Sequence, residues 1–362
     1  MWALRRLADS LRAQGVRTIA GDVVGDGSWF EPPLVHPAWE NYDLNWWYAA
    51  PVSGLGFNDN AVDITWGAGA DVGAPPVISI APALAPVTLE NRGVTVAGDS
   101  GTNLDFFRDP GTLRIRAEGR VAQTGRGRTE YFALPDPNHY AAVALRAALA
   151  DAGIAVRGAV RSTTDSLAYA PARAGVPLAE VSSRPLRDWI FPVLNSSQNW
   201  FAEMLLRQLG RQFGRGGSWR EGLAVERRVL IDSLRLDSTQ VALVDASGLA
   251  GSNLLTPAAL VRLLQFMRRH PGARPFLAAL PRAGARGSLL NRFVGTPAQD
   301  RVVAKPGTIT RVNALAGYLE LDGGRTVTFA ILANHHALPG RVVAAQIDSV
   351  VADLARQLVR RP

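Results

Sequence analysis

The chain has 362 residues, 47% of them hydrophobic and 19% charged, a balance that fits a folded protein of two or three domains and excludes a disordered one. It contains no cysteine, which excludes disulfides, thiolate catalysis and the commonest structural zinc sites. The formal charge is +8, but the arginines are scattered and often stand beside acids, which reads as solvated surface and not as a nucleic-acid footprint.

The first residues, Met1-Trp-Ala-Leu-Arg-Arg-Leu-Ala-Asp-Ser10, lack the apolar core of a signal peptide and read as an amphipathic helix running on to Gly15. So abrupt an opening suggests a helix-first fold or a chain cut at its N-terminus. No apolar run reaches the roughly 18 residues of a membrane-spanning helix. Val16 to Val24 alternates like a strand and is turned by Gly25-Asp-Gly27. Residues 29–51 hold Trp29, Trp39, Tyr42, Trp46, Trp47 and Tyr48 among prolines, a packed irregular segment or a ligand wall, with packing the better explanation. Short strands are expected at Asn58 to Thr65, Val77 to Ala81, Val87 to Leu89, Val94 to Ala97, Leu113 to Glu118 and Thr129 to Ala133.

A helix follows over Asn138 to Ala152 and a strand over Val156 to Val160. Helical tracts are then expected at Pro185 to Leu194, Asn199 to Gly210 and Ser218 to Leu234, before a strand at Gln240 to Val244. Thr256 and Pro257 make a good N-cap and first residue for a helix reaching about Arg269. Strands Val302 to Lys305, Ala314 to Leu321 and Val327 to Asn334, then a helix Arg341 to Arg360, close an α+β domain that starts near residue 165.

Two segments carry chemistry. In Asn195-Ser-Ser-Gln-Asn199, Ser197 and Asn199 form a Ser-x-Asn unit at a helix start. Such residues cap free amide groups with no further role; they can equally leave the helix mouth towards a cleft, one to move a proton and the other to hold a carbonyl. The second segment is Arg301-Val-Val-Ala-Lys-Pro-Gly-Thr-Ile309. Of the 39 basic residues, Lys305 is the only lysine. An ammonium is a compact charge whose pKa can move, whereas a guanidinium is a flat fork that stays protonated.

Together these segments resemble the Ser-x-Asn and Lys-Thr-Gly motifs of the penicillin-binding protein and serine β-lactamase superfamily. The match is to the class C low-molecular-mass branch, D-Ala-D-Ala carboxypeptidases and endopeptidases. Ser197-Gln-Asn-Trp-Phe-Ala-Glu203, Asp245-Ala-Ser-Gly-Leu249, Asn253-Leu-Leu-Thr-Pro257, Gly287-Ser-Leu-Leu-Asn-Arg292, Ala304-Lys-Pro-Gly-Thr-Ile309 and Asn313-Ala-Leu-Ala-Gly-Tyr318 follow in family order. Gly21-Asp-Val-Val-Gly-Asp26 and Tyr48-Ala-Ala-Pro-Val-Ser53 look like that branch's inserted domains.

The resemblance implies a transpeptidase-like α+β catalytic domain, an antiparallel sheet with helices, over residues 166–362 and incomplete at its N-terminus. Residues 1–165 would form one or two β-rich inserted domains, the inner one over about 83–130. It implies an acyl-enzyme mechanism on peptidoglycan stem peptides ending in D-Ala-D-Ala, outside the cytoplasmic membrane, with β-lactams as inhibitors of a full-length form. Ser197 would carry the proton to the leaving amine, Asn199 would hold the peptide, and Lys305 would supply positive potential for the terminal carboxylate. Gly307 and Thr308 would complete carboxylate and oxyanion recognition. No cofactor, metal or nucleic acid is implied.

Two departures stand out. The family nucleophile lies in Ser-x-x-Lys, and with Lys305 preceded by Val302 no such motif occurs in these residues. The expectation is a C-terminal portion that lost its nucleophile segment and is inactive as it stands; the alternative is a non-catalytic module of the same fold that binds cell-wall peptides. Pro306 also replaces the usual threonine or serine. Ser247 reads as part of a tight turn. His36, His139, His270, His335 and His336 show no metal-binding spacing and read as loop or surface residues.

Overall fold

The computed structural model describes residues 1–84, 87–98, 100–109 and 111–359, so Arg360, the expected end of the last helix, lies outside the described residues. The chain divides into two units, Met1–Ser182 and the residues from Ser183 onward.

In chain order the first unit holds α1 (Trp2–Ala13), β1 (Thr18–Ile19), β2 (Val23–Asp26), β3 (Ala61–Gly67), β4 (Val77–Ala81), β5 (Thr88–Val96), β6 (Asp105–Arg108), β7 (Arg114–Ala122), β8 (Arg128–Ala133), α2 (Pro137–Asp151), β9 (Ala155–Val156), β10 (Val160–Thr163) and α3 (Ala170–Ala174). Leu4, Ala8 and Leu11 form the apolar stripe of α1 and pack with Val23, Leu149 and Ile154. The Asp136 carboxylate caps α2 by accepting from the His139 amide, and Pro137 supplies the pre-set first turn. The strand expected from Val16 to Val24 is broken into β1 and β2. Between them Asp22 accepts from the Ala159 amide and pairs with Arg161, so its side chain anchors the break. The two pieces pair separately and in parallel, β1 with β9 and β2 with β10.

Two three-stranded sheets share one core. β3 lies between β4 and β8, all antiparallel, while β7 lies between a parallel β5 and an antiparallel β6. Ile64, Phe106, Ile115, Phe132 and Tyr140 meet in that core. Trp46 packs edge-on against Phe132 with ring centroids 5.7 Å apart, and Trp39 is buried, whereas Trp29 and Tyr42 remain about half exposed at 49% each. The aromatic segment is therefore in part a packing device.

The second unit runs α4 (Leu186–Asn195), α5 (Asn199–Phe213), α6 (Trp219–Arg228), β11 (Val241–Ala242), β12 (Leu254–Leu255), α7 (Pro257–Arg269), α8 (Ala273–Ala279), β13 (Val302–Ile309), β14 (Val312–Glu320), β15 (Thr326–Asn334) and α9 (Gly340–Val359). The strands β13, β14 and β15 form an antiparallel sheet in that order, with β14 central. Side chains alternate across it. Ala304, Leu315 and Leu319 pack with Val343, Ile347 and Val351 of α9, and Val303 and Tyr318 pack with Leu264 of α7 and with Leu280. The result is an α+β unit with a sheet covered on both faces.

Candidate active site

Ser197 lies in the short link between α4 and α5, with a φ of 59° that non-glycine residues seldom adopt. The link turns tightly because the Pro192 carbonyl accepts from both the Ser196 and Gln198 amides. Gly287 presses against it from below. A β-carbon there would stand 2.7 Å from the Asn195 carbonyl oxygen, and its φ of 65° also favours glycine. Ser197 does not cap α5: the N-cap position is Gln198, and no side-chain cap bond forms there. Its hydroxyl faces another partner.

That partner is Lys305, near the middle of β13. Its Nζ donates to Ser197 Oγ at 2.8 Å and to its neighbour's carbonyl, Pro306 O, at 2.7 Å. No carboxylate pairs with the ammonium among the described residues. Burial lowers its pKa from the ordinary 10.5 to about 8. A desolvated cation without a counter-ion, touching a hydroxyl, is an attractor for an anionic ligand. It can also pass a proton through the serine, whose own hydrogen stays free to donate.

Pro306 fits without losing a ladder bond. The Ala304 amide points away from β14 to the Pro281 carbonyl. By strand alternation, residues 306 and 308 turn their backbone groups to the same outer edge. A proline there lacks only an outward N–H, the position sheets tolerate. The same alternation leaves the exposed Gly307 and Thr308 at the open end of β13, with the Thr308 amide directed outward. The Thr308 side chain lies on the sheet face opposite Lys305. Its Oγ1 accepts from Asn313 Nδ2 at 3.1 Å, and Asn313 Oδ1 lies 2.9 Å from His336 Nε2. Asn199 opens α5, half-buried, two residues beyond Ser197.

The structure thus brings Ser197 and Lys305 into direct contact and sets Thr308 in a second cluster along the same strand. Sequence reasoning missed that second cluster. Asn313 is buried at 3% exposure, yet a lone asparagine opening a strand carries no signal of its partners. His336 lies in the loop after β15, as the sequence suggests, and is half-buried and bonded there.

Behind the site, Glu203 of α5 is fully buried. It accepts from Trp219 Nε1 at 2.7 Å and from the amides of Ala246 and Ser247 at 3.1 and 2.8 Å. Asp245 in turn accepts from the Gly248 and Ala250 amides and from Asn253 Nδ2. These bonds fasten the Asp245-Ala-Ser-Gly-Leu249 loop to α5; Ser247 Oγ accepts from the local Leu249 amide, and its hydroxyl also bonds to Glu203. The loop's chemistry is that of a turn.

A sequence profile of the D-Ala-D-Ala carboxypeptidase 3 (S13) family matches residues 2–354. A D-alanyl-D-alanine carboxypeptidase from an Actinomadura species is 30% identical over 365 residues, covering 97% of this chain and 66% of that protein. Carboxypeptidase DacB of Mycolicibacterium smegmatis is 34% identical over 212 residues, covering 56% of this chain and 45% of its own length. The chain therefore spans less than two thirds of these relatives. Penicillin binding protein 4 of Haemophilus influenzae superposes with a TM-score of 0.80 over 99% of this chain and 79% of that one, at 24% identity, and so shares its fold. With the profile matched along nearly its whole length, the chain belongs to the D-Ala-D-Ala carboxypeptidase 3 (S13) family.

Proposed function

We propose that this site recognises peptidoglycan stem peptides ending in D-Ala-D-Ala, outside the cytoplasmic membrane, as part of a serine-type carboxypeptidase or endopeptidase. The observation that carries this reading is the half-buried Lys305 ammonium, which pairs with no carboxylate among the described residues, donating to Ser197 Oγ at 2.8 Å. The terminal carboxylate of the peptide meets the positive potential of Lys305 and the hydroxyl of Thr308. Asn199 holds the peptide backbone. The outward Thr308 amide lies where an oxyanion can be received, and Gly307 leaves room for the substrate chain beside it. As the scissile bond breaks, Ser197 gives its proton to the leaving amine and is resupplied from Lys305.

The attacking serine of this family belongs to a Ser-x-x-Lys motif, and these 362 residues contain none, since Lys305 is their only lysine. Within these residues the site binds but does not form an acyl-enzyme. That same fact favours the second reading, a binding module of the same fold that holds cell-wall peptides without turnover. A bound β-lactam occurs in one structure of the Haemophilus influenzae protein, which supports β-lactams as ligands of a form that carries the nucleophile.

Two measurements test the reading. Titration with diacetyl-L-lysyl-D-Ala-D-Ala should give saturable binding that is lost in Lys305→Met; equal affinity for the peptide's C-terminal amide would refute carboxylate recognition. Fluorescent penicillin should leave the 362-residue chain unlabelled, and stable covalent labelling would refute the missing nucleophile.

A further inference from the structure

We infer that the C-terminal end of α5, together with α6, is a docking surface for an anionic phospholipid bilayer. The surface is independent of what the Ser197–Lys305 site binds. It begins with an apolar stripe on α5 that is progressively uncovered towards the helix end: Leu205 is half-buried, Leu209 is 38% exposed and Phe213 is 62% exposed. The four-residue spacing puts all three on one face of the helix. The turn that follows is pinned from within. Arg207, fully buried, donates from Nε to the Gly217 carbonyl at 2.8 Å and lies 4.3 Å over the Trp219 ring, and the Gly214 amide donates to the Gly210 carbonyl. Phe213 and Arg215 are thus held out from a fixed frame.

Beside the stripe lie two adjoining hollows, of about 490 and 190 Å³. The first is lined by Phe213, Val225 and Ile231 and by the exposed Arg215, Arg227 and Arg228. The second is lined by Leu223, Leu230, Val241 and Leu243, with Arg220 and again Arg227. Ile231, common to both, lies in the π-helical turn Val229–Ser233 that continues α6, an irregularity found mostly at functional sites. Charge is layered here. The Arg215 and Arg220 side chains are 93% and 88% exposed, whereas Glu221, which they approach at 3.9 and 3.5 Å, is only 12% exposed. Glu226 Oε2 is buried, and Asp232 is the one exposed acid lining the hollows. Four exposed arginines therefore face solvent against one exposed carboxylate.

Arginines alone suit any polyanion; the exposed apolar side chains among them favour a bilayer. A hydrated phosphodiester polymer gives Leu209 and Phe213 nothing to bury against. At a membrane they enter the boundary between headgroups and acyl chains, while the guanidinium groups pair with lipid phosphates. The aliphatic walls of the hollows add apolar surface beside them. From Asn199 to Phe213 α5 rises about 21 Å, so docking by its end holds the site no further than that from the docked residue.

The test is sedimentation of the 362-residue chain with vesicles of phosphatidylcholine alone, or of phosphatidylcholine and phosphatidylglycerol in equal parts. Binding is expected to the mixed vesicles only, and should fall at about 0.5 M salt, where the field of the arginines is screened. Arg215→Gln/Arg227→Gln should weaken it about 25-fold, or about fivefold for each arginine near an anionic surface. Phe213→Ser should weaken it about tenfold through lost apolar contact. Both variants change exposed side chains, so unfolding temperatures should match and the loss reads the surface itself. Arg114→Gln/Arg126→Gln, which removes two exposed arginines of the first unit, should bind like the unaltered chain. Absence of binding to the mixed vesicles, or an equal loss in the Arg114→Gln/Arg126→Gln variant, overturns the proposal. So does competition by soluble poly(glycerol phosphate) that is indifferent to Phe213→Ser, which would assign the surface to a phosphodiester polymer.

Discussion

Lys305 and Ser197 lie 108 residues apart in sequence and 2.8 Å apart in space, joined by a bond from the ammonium to the hydroxyl oxygen. The contact links a strand of the sheet to the turn between two helices. It gives the site its polarity: a cation at the base, a hydroxyl above it, and an outward backbone amide further along the same strand.

Because Lys305 is the only lysine, its titration can be read directly. Lysine labelled with carbon-13 at Cε gives one resonance in this chain. Its midpoint should fall near pH 8, lowered from the ordinary 10.5 by burial. Removing the acceptor in Ser197→Ala withdraws a partner of the charged form, so the midpoint should fall further. A midpoint above 10 would mean that the ammonium is solvated and the site open.

Lys305→Arg preserves charge and removes the function argued for it. The guanidinium stays protonated and is a flat fork in place of the compact ammonium that donates to both Ser197 Oγ and Pro306 O. In a chain extended to carry Ser-x-x-Lys, penicillin acylation should drop by about two orders of magnitude, the scale of one proton-transfer group. An unchanged acylation rate would assign Lys305 no role in proton transfer.

The fold class and the pairing of Ser197 with Lys305 were legible in the sequence because ordered motifs and a solitary ammonium survive in one dimension. The three closing strands were legible through their apolar alternation, and the Thr256–Pro257 start of α7 through capping chemistry. What escaped was set by tertiary partners. β5 was split in expectation because its polar middle, Glu90-Asn-Arg-Gly93, breaks the apolar pattern; β7 pairs with it residue by residue all the same. β6 is four residues long and was missed, its Phe106 buried in a core formed by distant strands. α8 went unseen between Gly272 and Leu280 for the same reason of brevity. His336 and Asn313 meet only because the loop after β15 folds back on the start of β14.

Glu226 of α6 makes folding pH-dependent. Its Oε2 is buried without a hydrogen-bond partner, and burial, with Glu203 and Asp245 nearby, raises its pKa from the ordinary 4.5 to about 7. Below pH 4.5 it is protonated in both folded and unfolded chains and costs nothing. Between pH 4.5 and 7 the unfolded chain ionises while the folded one keeps its proton, so stability falls as pH rises and levels off above 7. The total loss is on the order of 1–3 kcal/mol. Glu226→Gln should remove that slope and be the more stable form at pH 8 in denaturant titrations. Parallel curves for the two proteins from pH 4.5 to pH 8 would place the carboxylate in solvent.

Gly287→Ala tests how rigidly the serine turn is built. The added β-carbon meets the Asn195 backbone oxygen at 2.7 Å and must hold a φ of 65°, so relief requires backbone movement two residues before Ser197. A cost of about 1–3 kcal/mol is expected, the range for strained left-handed residues. The movement should also pull Ser197 Oγ from Lys305. Thermal unfolding would report the first effect and the single lysine resonance the second, as a midpoint shifted downward like that of Ser197→Ala. A destabilised protein with an unshifted lysine would show that the strain is absorbed in the Gly287 segment and that the Ser197–Lys305 bond is set independently of it.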